Sequence, residues 1–145
     1  MNTNNLLEQY VASNHFGEWL GMHFTVLEKG KVDYRLRVEE KHLATPKAAH
    51  GGVVSALVDA ALGVCALSAV YENAQVVSTV EYKLNFLSPA LLGDTLQAIA
   101  RVEQQGKRLL IVSCDVMCVN RNNQMIAKAM GTFNAYDAAK AGYAI

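Results

Sequence analysis

His50-Gly51-Gly52 opens an apolar run that reaches Val70, and Asp59 is the one ionisable carboxylate inside it. Burial strips the hydration from an unpaired carboxylate, so such a group is paired, neutralised or at work. Ser55 stands one helical turn earlier. If the run is a helix, the N–H groups at its start lack intrahelical partners. An acid and a cluster of free donors then share one element, an arrangement suited to chemistry at a carbonyl. His50, just before the helix, reads as a loop residue that hydrogen-bonds its first turn.

The elements that must position these groups are legible in the patterning. Leu6, Leu7, Tyr10 and Val11 recur at helical spacing, which predicts a short amphipathic N-terminal helix. Met22 to Leu27 reads as a strand, Glu28-Lys29-Gly30-Lys31 as a hairpin turn, and Val32 to Val38 as a half-buried strand. A loop with Pro46 leads into the apolar helix. Beyond it, Val80, Tyr82, Leu84 and Phe86 alternate with Thr79, Glu81, Lys83 and Asn85. Leu96 to Val102 and Leu110 to Cys118 alternate again, joined by Gln104-Gln105-Gly106-Lys107. Asn120-Arg121-Asn122-Asn123 turns the chain into a last strand, Met125 to Ala135, and the tail from Asp137 to Ile145 reads as loosely held. With no linker or repeat, residues 1–145 read as a single domain. One long helix with two strands before it and four after describes an α+β fold, an antiparallel sheet of about six strands curled round a helix.

Composition narrows the class. The 145 residues are 52% hydrophobic and 18% charged, which excludes disorder. Thirteen basic and thirteen acidic side chains balance, so no basic face recommends nucleic acid as a partner. High apolar content with few charges suggests that a second subunit covers some of the surface. Cys65, Cys114 and Cys118 lack metal or redox spacing and read as reduced thiols of a cytoplasmic protein. His42 and His50 have no further ligands at metal spacing, so neither a metal nor another cofactor is expected. Val53 to Val70 is nearly long enough to span a bilayer, but Asp59 near its centre argues for a core helix rather than a membrane segment.

The chain resembles the hotdog-fold acyl-CoA thioesterases, in particular the branch containing the phenylacetate-pathway enzymes. The resemblance rests on His50-Gly51-Gly52 with an acid nine positions after the histidine, on Ser78-Thr79-Val80-Glu81-Tyr82, and on Leu84-Asn85-Phe86-Leu87-Ser88-Pro89. It continues through Gly93-Asp94 and the Gly106 turn to Gly131-Thr132-Phe133. It implies an acyl-CoA substrate and hydrolysis of its thioester. Asp59 would be general base or nucleophile, which the residues do not decide between, and Thr79 would stand beside the attacking water. N–H groups around Gly51 and Gly52, with the helix dipole behind them, would hold the oxyanion, and His50 would contact the carbonyl or brace the loop. Gly52, Ser55, Lys107 and Arg108 are the expected substrate contacts, the last two for the coenzyme A phosphates.

At 1.5 Å per residue, Asp59 lies roughly 12 Å along the helix from Gly51. A base must come within about 3 Å of its proton, or reach it through one water. The expectation is therefore a two-fold homodimer with shared sites, in which antiparallel helices bring Asp59 of one chain to Gly51 of the other, and a dimer of such dimers. One departure stands out. Where the family commonly has Asn six residues and Gly three residues before the histidine, this chain has Ala44 and Lys47. Two other readings follow: a hotdog acyl-CoA binder without hydrolysis, and a hotdog hydratase or dehydratase.

Overall fold

The computed structural model describes residues 4–144. Two short helices, α1 (Asn4–Ser13) and α2 (His15–Leu20), lead into strands β1 (His23–Glu28) and β2 (Lys31–Arg37). The long helix α3 (Gly51–Val70) follows, then β3 (Gln75–Phe86), β4 (Thr95–Gln105), β5 (Leu109–Cys118) and β6 (Gln124–Asp137). All six strands form one antiparallel sheet in the order β1-β2-β4-β5-β6-β3. The sheet wraps α3, which touches every strand.

Alternation decides the inner face. Val32, Tyr34 and Leu36 of β2, Leu96, Ala98 and Ala100 of β4, and every second residue from Leu110 to Cys118 of β5 are buried against α3. On α3 itself, Leu57, Val58, Ala61, Leu62 and Cys65 are fully enclosed, which is why the helix is apolar nearly all round. It is long and apolar enough to cross a membrane, and most of it is buried inside the sheet. Gly30, at φ +81°, makes the β1–β2 turn in a backbone region that suits glycine. All three cysteines are buried and free, and burial pushes the Cys65 thiol up to about 12.

Two parts of the N- and C-terminal regions depart from the sequence reading. Asn14 starts a second helix by accepting a hydrogen bond from the Gly17 N–H at 3.2 Å. The tail is held rather than loose over its described part. Ala138–Ala141 forms a 3₁₀ turn, the Ala138 N–H donates to Ala74 O, and the side-chain amide of Gln9 exchanges two hydrogen bonds with the backbone of Ala144. Ile145, the last residue of the expected tail, lies outside the described residues.

Candidate active site

Helix α3 runs antiparallel to β3, and three contacts join them in sequence. A methyl group on Gly51 would stand 3.5 Å from Phe86 Cζ, Ser55 Oγ lies 2.6 Å from Tyr82 OH, and Thr79 Oγ1 donates to Asp59 Oδ1 at 2.8 Å. Thr79 and Tyr82 are three residues apart, which in a regular strand would put them on opposite faces. A β-bulge between Thr79 and Glu81 resets the alternation, so both reach α3. The unbroken alternation read from Thr79 to Phe86 is therefore corrected: Val80 is more than half exposed, and Thr79 shares the inner face with Tyr82. Gly131 of β6 makes room for this. A Cβ there would lie 2.7 Å from Tyr82 Cβ and 2.8 Å from Glu81 O.

At the start of α3, His50 is the N-cap, and its Nδ1 accepts the Gly52 N–H at 2.7 Å. That bond leaves the imidazole proton of the neutral ring on Nε2. Gly52 permits the close approach, since a Cβ would fall 2.8 Å from Nδ1. Of the two glycines expected to offer donors, Gly52 has its N–H taken, whereas the Gly51 N–H has no partner among the described residues. Ser55 is bound to Tyr82 and directs no free hydroxyl towards Asp59.

The cap is braced from behind by backbone. His50 N donates to His42 O at 2.7 Å, Ala49 N to Ala90 O at 2.8 Å, and Leu92 N to Lys47 O at 2.9 Å. The loop that supplies Ala90 and Leu91 is in turn tied by Asp94. Its carboxylate accepts from Leu91 N at 2.8 Å and from Arg121 Nε and Nη2 at 2.9 and 2.7 Å. Burial opposes ionisation of Asp94, but the Arg121 guanidinium and the Leu91 N–H outweigh it and hold the carboxyl below its ordinary value. His42 is fully buried, with Nδ1 accepting from Glu39 N and Nε2 donating to Leu20 O. Thr45 Oγ1 accepts the N–H of Ala48 at 3.0 Å. His42 is thus committed at both ring nitrogens, whereas Thr45 keeps a hydroxyl proton without a partner among the described residues, and Ala44 is an exposed loop residue.

Lys107 and Arg108 sit in the exposed β4–β5 turn. Arg108 Nη2 donates to Asn134 Oδ1 at 3.4 Å, and Asn134 pairs across the sheet with Ser78, next to Thr79. The turn is thus two strands from the Asp59–Thr79 pair and far from the cap. A cavity of about 320 Å³ adjoins Asp59 and Thr79 and continues along Gly63 and Leu67 of α3. Tyr10 and Tyr143 also line it, and neither was expected there.

A family model described as the thioesterase superfamily matches residues 47–123. The chain belongs to that superfamily. A protein of Saccharolobus solfataricus named as an esterase is 35% identical over 92% of this chain and 83% of its own length. The acyl-coenzyme A thioesterase PaaI of Escherichia coli is 28% identical over 77% of this chain and 76% of its own. The solved structure of PaaI, a protein of the phenylacetic acid degradation operon, superposes with a TM-score of 0.82 at 20% identity, covering 92% of this chain and 93% of that one. This agreement shows the hotdog fold. A Streptococcus mutans protein solved with acetyl CoA has a TM-score of 0.71 at 28% identity, over 80% of this chain and 89% of its own.

Proposed function

We propose that this protein hydrolyses the thioester of an aryl- or aliphatic acyl-CoA, with Asp59 as general base or nucleophile. The observation that carries this reading is the Asp59–Thr79 hydrogen bond in the wall of a cavity, on a helix whose first N–H has no partner among the described residues. The carbonyl oxygen would accept from the Gly51 N–H, with His50 Nε2 as a second donor. Asp59 would take the proton of a water attacking the carbonyl carbon, or attack it directly and yield the acid on hydrolysis of the anhydride. The C–S bond breaks and coenzyme A leaves with a proton. The likeness to an acyl-coenzyme A thioesterase and to a protein solved with acetyl CoA supports this substrate class. Lys107 and Arg108 are the proposed contacts for the coenzyme A phosphates. A panel of acyl-CoAs scored by released thiol tests the reaction. Tight binding without turnover would instead establish a non-hydrolytic binder, the reading that Ala44 favours.

The site is proposed to be shared between two copies of the chain. Strand β3 is an edge strand with one side unpaired, and its exposed Val80 and Phe86 are an unusual surface for a free edge. Two β3 edges meeting about a two-fold axis would continue the sheet and set the two α3 helices antiparallel. The midpoint between Gly51 and Asp59 is Ser55, which is joined to Tyr82, so the axis would cross β3 near Tyr82. In the test, Asp59→Ala and Gly51→Val proteins, each inactive, are mixed and allowed to exchange subunits. Mixed dimers make up about half the population and hold one intact site each, so about a quarter of the original activity should return. Exchange confirmed by mass with no activity would refute the shared site. The buried, free cysteines support a reducing compartment, and a cytoplasmic location is proposed with it.

A further inference from the structure

The cavity beside Asp59 ends at a wall made by the two ends of the chain. Asp59, Gly63 and Leu67 line it at four-residue intervals along α3, and Tyr10 and Tyr143, which also line it, pack on the cluster that holds Leu67. That cluster is built on Leu6, Leu67, Val76 and Ala138, and Tyr10 packs against the main core as well. The Tyr10 ring is fixed. It stacks at 6.2 Å on Phe24, and its hydroxyl accepts from Asn14 Nδ2. Tyr143 is fixed by its neighbours on either side. Its own N–H donates to Ala138 O, and the next residue, Ala144, is clasped through both backbone groups by Gln9, Nε2 to O at 2.7 Å and Oε1 from N at 3.0 Å.

We propose that this clasp of the termini is a chain-length stop: Tyr10 and Tyr143 close an acyl pocket that begins at Asp59. The inference rests on the reading above, that the thioester carbonyl lies at Asp59. From Asp59 to Leu67 the helix rises about 12 Å. Carbon–carbon bonds of about 1.5 Å advance an extended chain by about 1.3 Å per carbon. The pocket therefore takes an acyl chain of about eight to ten carbons, or an aryl-acetyl group, and turns longer chains away. The Tyr143 side of the stop lies on a satellite cluster and is clasped by two exposed hydrogen bonds, so it opens at lower cost than the main core.

The test compares wild type, Gln9→Ala and Tyr143→Ala on saturated acyl-CoAs from butanoyl to hexadecanoyl. Wild-type kcat/KM should fall beyond decanoyl-CoA. Tyr143→Ala should move the optimum at least two carbons longer and raise kcat/KM for tetradecanoyl-CoA about tenfold, since each further buried methylene is worth about fourfold. Gln9→Ala, which leaves every pocket side chain in place, should shift the profile the same way by a smaller factor, with hexanoyl-CoA unchanged. Folded variants with the wild-type length profile, or a wild type that cleaves hexadecanoyl-CoA as well as octanoyl-CoA, would overturn the stop. If the wild type cleaves none of the series, the hydrolase reading fails on its own. Calorimetric titration with free alkanoic acids of the same lengths then decides the stop: Tyr143→Ala either gains affinity for the long acids, as proposed, or does not, which refutes it.

Discussion

The two halves of α3 are held by different means. Around His50 and Gly51 the bracing is almost all backbone: strand-like bonds from His42, Lys47 and Ala90 fix the cap, and the glycines have no side chains to adjust. Around Asp59 the fixing is by side chains, with Thr79 on the carboxylate and Leu67, Tyr10 and Tyr143 farther along the cavity. A donor site built from backbone depends on the path of the loop and tolerates many side-chain changes. An acid site built from side chains is open to tuning residue by residue. On the proposed reading, the carbonyl-holding end of this helix is fixed by backbone and the acid end by side chains.

The largest expected effect tests whether chemistry sits in the second half. Asp59→Asn keeps the shape and can still accept from Thr79, but it cannot take a proton or attack carbon. Turnover on the best acyl-CoA should fall by about two to four orders of magnitude, with an unchanged circular dichroism spectrum and melting temperature. Turnover close to wild type in the folded variant would remove Asp59 from the chemistry.

Next is the brace behind the first half. Asp94 is 5% exposed at its side chain and binds Arg121 through two hydrogen bonds. Asp94→Asn leaves the guanidinium without its counter-charge and should cost about 3 kcal/mol in urea unfolding at pH 7. The folded carboxyl titrates below its ordinary value, so its stabilisation is complete above the unfolded pKa of about 4 and is lost as pH falls through the folded value. The gap between wild type and variant should therefore narrow below about pH 4. A gap that is constant with pH would show that the ion pair is not its source.

The sequence carried the polar ends of the site better than its geometry. Alternation in β2, β4 and β5 and the apolar run of α3 were readable because one periodicity holds along each element. The bulge was not, because one unpaired residue inverts the face of everything before it while leaving the composition of β3 unchanged. Asp59 could be named from its type and place in the apolar run and Thr79 from the family resemblance, yet their contact depends on that bulge. The capture of the Gly52 N–H by His50 was also hidden, since the spacing of a capping histidine is that of a free one. The clasp between Gln9 and Ala144 spans 135 positions, and no local pattern reports a pairing of chain ends.

Gly131 connects these points, and it predicts a smaller effect. A Cβ at this position would press on the Tyr82 Cβ and Glu81 O of the bulged strand. Gly131→Ala should cost about 1–3 kcal/mol as overpacking and reduce kcat by displacing Thr79 and Tyr82 together. Crystallography of the variant would show whether β3 moves away from β6. Unchanged stability and unchanged β3 would mean that the bulge does not depend on the glycine.

The smallest expected effect isolates the one hydrogen bond that the bulge creates in the site. Thr79→Val keeps the branched shape suited to a strand and removes only the hydroxyl that donates to Asp59 Oδ1. The carboxylate then keeps its charge and position on α3 but loses the group that fixes its rotation. A loss of about 1.4 kcal/mol in orientation is about tenfold in rate. Valine keeps the volume of threonine in the cavity wall, so kcat should fall about tenfold while KM stays within a factor of about two. Thr79→Ser restores a hydroxyl at the same place and should recover most of the rate, which a purely structural role for the threonine methyl would not allow. Equal losses in the valine and serine variants would assign Thr79 to packing, and the acid site would then rest on α3 alone.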